Sequence, residues 1–227
     1  MLTIIIPTLN SAKLLNPTLT ALVPGIVNGL VGQLVVSDGG STDRTLTIAG
    51  KAGANILSGT PSRGTQLAAG GREATGDWLL FLHADTALEA GWEQEVRGFI
   101  EDSAGNESTA ASFRFQLNDK AIAARWLERI VAARCRMFGL PYGDQGLLIS
   151  REFYNSIGGF HEIPLMEDVD LVRRIGRDNL HFFQHAAITD ARRYKRGGYL
   201  ARIARNTACL TMWFAGVKPE RIAGFYK

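Results

Sequence analysis

The sequence predicts an α/β protein built on a doubly wound, mostly parallel sheet flanked by helices. Three observations point there. Short apolar, β-branched runs recur through roughly the first 90 residues; the segments between them suit helices; and acidic residues follow two of the runs directly, where open α/β sheets gather their ligands. With 46% hydrophobic residues in a chain of 227, there is material for one substantial core, and a single domain spanning 1–227 is expected.

Residues 2–6 form an apolar run closed by Pro7, as in a strand covered on both faces. Residues 33–37, centred on Val35 and Val36, repeat that signal, with residues 11–22 suited to a helix between them. Parallel strands joined in this way need a right-handed crossover. A second helix is expected near Thr42 or Asp43, whose short oxygen-bearing side chains can cap free amides. Residues 55–57 give a short third strand, 62–74 a helix despite Gly70 and Gly71, and 78–82 the most apolar strand. The second half is less regular: strands are expected at 112–117, 146–150 and 179–185, and helices at 121–138 and 199–214. In the first of these helices Ile122, Trp126, Ile130 and Met137 recur near helical spacing, with Arg125, Arg129 and Arg136 elsewhere around it. The stripe is expected to pack on the core, with Trp126, Trp213 and Phe214 as anchors. Residues 102–109 alone have a linker-like composition.

A net charge of +3, with residues 192–196 as the densest basic stretch, does not suit a nucleic-acid-binding protein. Cys135 and Cys209 stand far apart, without metal-ligand or disulfide-framework spacing, so a reducing, cytoplasmic setting is expected. Residues 14–37 carry no formal charge, yet Asn16, Pro17, Pro24, Asn28, Gly29, Gly32 and Gln33 interrupt them too often for a membrane span. No cleaved leader is expected, because Met1 runs straight into the first strand.

Three segments carry candidate chemistry. In the first, Asp38 ends a buried run and is followed by Gly39, Gly40, Ser41, Thr42 and Asp43; an acid there can accept hydrogen bonds from a ribose or base, or can simply close a turn, with Asp43 capping the next helix. The first strand is followed by Pro7, Thr8, Leu9, Asn10 and Ser11, without the glycine-rich loop of a dinucleotide enzyme. In the second, an apolar run ends in His83, Ala84 and Asp85, whose i, i+2 side chains point to one side and can share an ion or a water shell. The third is Glu167, Asp168 and Asp170, after Pro164 and at the start of an expected helix, whose N-terminus favours ionised carboxylates. Acids complementing a helix end are the plain alternative to a catalytic base.

Together these segments resemble family 2 glycosyltransferases, inverting enzymes of the GT-A fold. The resemblance rests on Ile4 to Asn10, Val36 to Asp43, Arg63-Gly64 with Gly76-Asp77, His83-Ala84-Asp85 and Glu167-Asp168, in that order across residues 2–175. Gly143-Asp144-Gln145-Gly146 and Gly158-Gly159-Phe160 look like a small bacterial branch of the family. The resemblance implies a nucleotide-sugar-binding half over residues 1–90 and an acceptor-side half with a C-terminal helix over 110–227. It implies that Pro7, Thr8, Asn10, Asp38, Arg63, His83 and Ala84 hold the nucleotide of a UDP-sugar, and that Asp85 binds a Mn²⁺ or Mg²⁺ on the diphosphate, with His83 either a second ligand or a hydrogen-bond partner of a sugar or phosphate oxygen. Asp168 becomes the general base, with Glu167 orienting the acceptor, and Asp144, Gln145, Arg192 and Arg193, with His185, stand on the acceptor or diphosphate side. His83 departs from the family's usual Asp-x-Asp motif, which removes one negative charge from a metal site. A small-molecule or lipid-linked acceptor is implied, the latter with the 121–138 and 199–214 helices resting on the inner face of a membrane. A nucleotidyltransferase and a catalytically silent nucleotide-binding protein are the rival readings; the first lacks a phosphate-gripping loop at residues 7–11, and the second leaves Asp85 and Glu167-Asp168 without a role.

Overall fold

The computed structural model describes residues 1–105 and 108–226 and contains one eight-stranded sheet flanked by helices. Its first half alternates as expected: β1 (Leu2–Thr8), α1 (Leu15–Val27), β2 (Val31–Asp38), α2 (Thr45–Lys51), β3 (Asn55–Ser58), α3 (Arg63–Glu73) and β4 (Trp78–Phe81). These four strands are mutually parallel, in the order β3-β2-β1-β4. Their carboxyl ends therefore open on one edge. α1 starts later than residue 11, because the Ser11 amide is held by Thr45 Oγ1 and Pro17 fits the first helical turn, and it continues through Pro24.

β5 (Thr86–Leu88), α4 (Trp92–Asp102), β6 (Ala110–Leu117), α5 (Ile122–Phe138), β7 (Leu147–Ser150), α6 (Arg151–Ser156), α7 (Glu167–Ile175), β8 (Leu180–Thr189), α8 (Arg192–Gly197), α9 (Tyr199–Phe214) and α10 (Pro219–Tyr226) complete the chain. β7 runs antiparallel to both β4 and β6, β8 is parallel to β6, and β5 closes the edge antiparallel to β8. The expected strands at 112–117, 146–150 and 179–185 are all present, the last extended to Thr189 by pairing with β5. Of the linker-like stretch, Asp102 ends α4, and Asn106 and Glu107 lie outside the described residues.

Strand alternation sends Leu2, Ile4 and Ile6 to one face of the sheet, where Trp92 of α4 is fully buried, and Ile5 to the other, against α3, α6 and α7. A smaller cluster gathers Leu117, Leu127, Val131, Cys135 and Tyr194. α5 overturns the expected packing of its stripe. Ala124, Leu127, Val131 and Cys135 face inward, while Trp126 is 60% exposed and Ile122, Ile130 and Met137 are exposed with it. Phe214 is exposed too, so of the three expected anchors only Trp213 is half-buried. Both cysteines are buried and free. Among the described residues no helix is long and apolar enough to cross a membrane.

Candidate active site

The cleft lies at the carboxyl edge of β1, β2 and β4, as two adjoining cavities. One is lined by Pro7, Thr8, Ser11, Gln66 and Ala84; the other by Tyr142, Gly143, Asp144, Glu167, Asp168 and Arg202; Arg63, His83, Asp85 and Arg193 line both. The parallel topology explains this meeting. β1 delivers Pro7 and Thr8, the turn after β4 delivers His83 and Asp85, α3 starts with Arg63, and α7 starts with Glu167 and Asp168. The described non-glycine residues with left-handed backbone are Asn10 (φ 50°) and Met166 (φ 66°). Met166 lines the cleft and Asn10 lies between the lining residues Leu9 and Ser11; such strain is commonly held in place by its surroundings.

Asp38 supports the first cavity from beneath. Its carboxylate is buried and accepts hydrogen bonds from Thr8 Oγ1 (2.8 Å), the Gly40 and Ser41 amides and Ser41 Oγ. Burial alone would raise its pKa, but the bonds from Ser41, Thr8 and Gly40 outweigh burial and hold it below the usual value. The acid closes its turn, and Asp43 likewise accepts from the Thr45 amide and hydroxyl at the start of α2. Gln66, which sequence reasoning passed over, donates to the carbonyls of Thr8 (2.8 Å) and Ser37 (2.7 Å), tying β1 to β2 beneath the cavity. Asn10 sits exposed on the rim, where its Oδ1 accepts from the Thr42 amide.

Across the cleft, Asp168 Oδ2 accepts from the Gly143 amide at 2.8 Å and Oδ1 from the Val169 amide at 2.8 Å. One donor on each oxygen fixes the carboxylate and leaves lone pairs free for a hydroxyl. Glu167 is almost fully buried, and its Oε1 lies 3.7 Å from Arg63 Nε. Burial pushes its pKa up to about 7 despite Arg63, with Asp168 adding to the rise. At Glu167 desolvation works against the preference of the α7 N-terminus for an ionised carboxylate. Asp144 is pushed up to about 6, also by burial first, with Arg134 opposing and Asp168 and Asp85 reinforcing. His83 is driven down to about 3 by desolvation and by Arg63, so its ring is neutral at physiological pH. A Cβ at Gly143 would lie 2.6 Å from His83 Nε2, so the lack of a side chain there lets ring, amide and Asp168 meet.

The remaining candidates divide. Asp144 and Arg193 line the cleft. Gln145 lies below it, buried, donating to the Phe113 carbonyl while its Oε1 accepts from Arg134. Arg192 turns back onto Asp190 at 2.9 Å, and His185 pairs with Glu95 at 2.7 Å, both off the cleft lining. Tyr142 is legible beside Asp144, but Arg202, Asn206 and Tyr226 come from α9 and α10 and carry no motif.

Residues 3–136 match the model of glycosyl transferase family 2, more than half of the chain, and the chain belongs to that family. The match ends before Glu167-Asp168. Curated relatives include PGL/p-HBAD biosynthesis glycosyltransferases of Mycobacterium bovis and Mycobacterium tuberculosis, each 41% identical over 114 residues, covering 44% of this chain and 41% of theirs. The chain thus spans about two-fifths of the length of the relatives it matches. Among solved structures, S. aureus TarS 1-349 with UDP-GlcNAc aligns over 84% of this chain and 58% of its own, at TM-score 0.64 and 15% identity. Glucosyl-3-phosphoglycerate synthase from Mycobacterium tuberculosis, with Mn²⁺, UDP and glucosyl-3-phosphoglycerate, aligns over 96% and 80% at TM-score 0.60 and 20% identity. The fold is accordingly the GT-A type.

Proposed function

We propose that this chain transfers a sugar from a UDP-linked donor to an acceptor hydroxyl with inversion, using Asp168 as general base. The observation that carries the reading is the single cleft in which Asp168 faces His83 and Asp85 across the shared lining of two cavities. The first cavity takes the nucleoside, with Pro7, Thr8 and Ala84 as its lining and Asp38 and Gln66 as its support. Arg63 and Arg193, which border both cavities, pair with the diphosphate. The acceptor enters beside Tyr142 and Asp144, its hydroxyl gives its proton to Asp168, and its oxygen bonds to the anomeric carbon as the bond to the diphosphate breaks. One displacement inverts that carbon. Removal of the proton in such a step contributes roughly a hundred- to ten-thousandfold in rate. Glu167, about half protonated at neutral pH with its pKa pushed up to about 7, is suited to orient the acceptor, and its ionised fraction faces Arg63 at 3.7 Å.

Among the described residues no three His, Cys, Asp or Glu side chains cluster to hold a metal. One carboxylate, Asp85, beside a neutral imidazole, His83, fits a cation that arrives on the diphosphate, since Mg²⁺ commonly binds through one or two carboxylates plus substrate phosphates. Such an ion, Mn²⁺ or Mg²⁺, would supply positive charge at the leaving group. The Mn²⁺ and UDP held by the synthase of similar fold support this assignment.

A thermal-shift panel of UDP-, GDP- and dTDP-sugars, with and without Mn²⁺, tests the donor reading. UDP-sugars are expected to raise Tm, Mn²⁺ to enlarge the rise, and Asp85→Asn to remove the Mn²⁺ increment. Failure of every nucleotide to raise Tm overturns the proposal.

A further inference from the structure

The outward face of α5 has no partner in the fold. Ile122, Trp126, Ile130, Ala133 and Met137 follow one another at spacings of four, four, three and four, so they fall on one arc about 80° wide. All five are exposed, Ile122 most among the large ones at 78%. The arc lies opposite the side that packs inward through Ala124, Leu127, Val131 and Cys135. Along one margin stand Arg125, Arg129 and Arg136, with the Arg129 guanidinium 5.5 Å from the centre of the Trp126 ring. The one acid of α5, Glu128, is turned inward, accepting from the Leu117 amide and pairing with Arg125. Next to this helix α9 exposes Leu200 and Phe214.

We infer that the outer face of α5 docks on an anionic membrane surface, with Trp126 and its apolar neighbours entering the interface and Arg129 and Arg136 meeting lipid phosphates. An apolar arc margined by arginines and free of carboxylates is the pattern of a helix lying in a bilayer interface. A membrane fits better than a second copy of the chain, since an isologous contact would bring the same basic margins together. The helix also leads straight to the cleft. At its C-terminal end Arg134 lies over the Tyr142 ring at 3.4 Å from the centre and binds Gln145, and residues 142–144 line the acceptor cavity. On the glycosyltransferase reading, on which this part alone rests, docking brings that cavity to the lipid surface, where it takes a lipid-linked hydroxyl.

Flotation with phosphatidylcholine vesicles, with and without phosphatidylglycerol, tests the docking. The wild type is expected to float with the anionic vesicles only, while Trp126→Glu/Ile130→Glu and Arg129→Glu/Arg136→Glu bind roughly tenfold or more weakly. UDP-induced thermal shifts, measured on the same variants, are expected to remain as in the wild type, which separates loss of docking from loss of the fold or of the donor site. No flotation of the wild type, flotation untouched by either variant, or a dimer in sedimentation that Trp126→Glu/Ile130→Glu dissolves would each overturn the inference. Lack of any UDP shift with docking intact would instead count against the donor site alone.

Discussion

At the scale of single residues, the site depends on small groups that let charged ones meet. Gly143 presents its amide to Asp168 and its bare Cα to His83, so Gly143→Ala should displace the ring and weaken the hold on Asp168. A fall in kcat with UDP affinity largely retained, read by steady-state kinetics beside the thermal shift, is the expected result. Glu167 gives a pH signature. Its pKa is raised in the fold to about 7, so the folded chain holds a proton that the unfolded chain has released. Stability from this group is full below the unfolded value near 4.5 and is lost as pH rises towards 7. Glu167→Gln should flatten that decline, which amounts to a few kcal/mol, on the order of 2–3; urea titrations at pH 5 and 7.5 measure it. Asp85, Asp168 and Arg63 were legible because they sit in recognisable motifs at strand and helix ends. Gln66 was not, since a buried amide that joins two strand ends has no sequence pattern. The resemblance put Gln145 and Arg192 on the acceptor or diphosphate side, but Gln145 turns to the Phe113 carbonyl and Arg134, and Arg192 to Asp190.

At the scale of elements, close approach of backbones positions the acids. A Cβ at Gly64 would stand 2.4 Å from the Ile163 carbonyl oxygen and 2.6 Å from that of His161, so α3 touches the loop that leads into α7. Gly64→Ala should push that loop away, with about 1–3 kcal/mol lost in stability and a further loss of activity as Arg63 and Glu167 separate; chemical denaturation and turnover report the two. The first-half strands could be read from apolar runs because parallel strands are covered on both faces. α5 defeated the same reasoning for a physical reason: it carries two apolar stripes, and periodicity does not say which one meets the core. α4 carries the amphipathic signal, Trp92, Val96 and Phe99 at helical spacing with charged residues on the other face, and so was legible although no helix was expected there.

At the scale of the molecule, a parallel half and a mixed half are joined through the β4–β7 pairing, and the cleft runs across the join. The family match ends at residue 136, so the proposed donor side draws on both sequence and fold, while the proposed base and acceptor wall draw on geometry. α9 and α10 complete that wall with Arg202 and Tyr226, residues brought to it only by the packing of the last two helices. The most direct test is the rate of donor consumption by Asp168→Asn at a saturating UDP-sugar. A fall of roughly a hundred- to ten-thousandfold, with the UDP-induced thermal shift preserved, is predicted; turnover at the wild-type rate would contradict the assignment of Asp168 as the base.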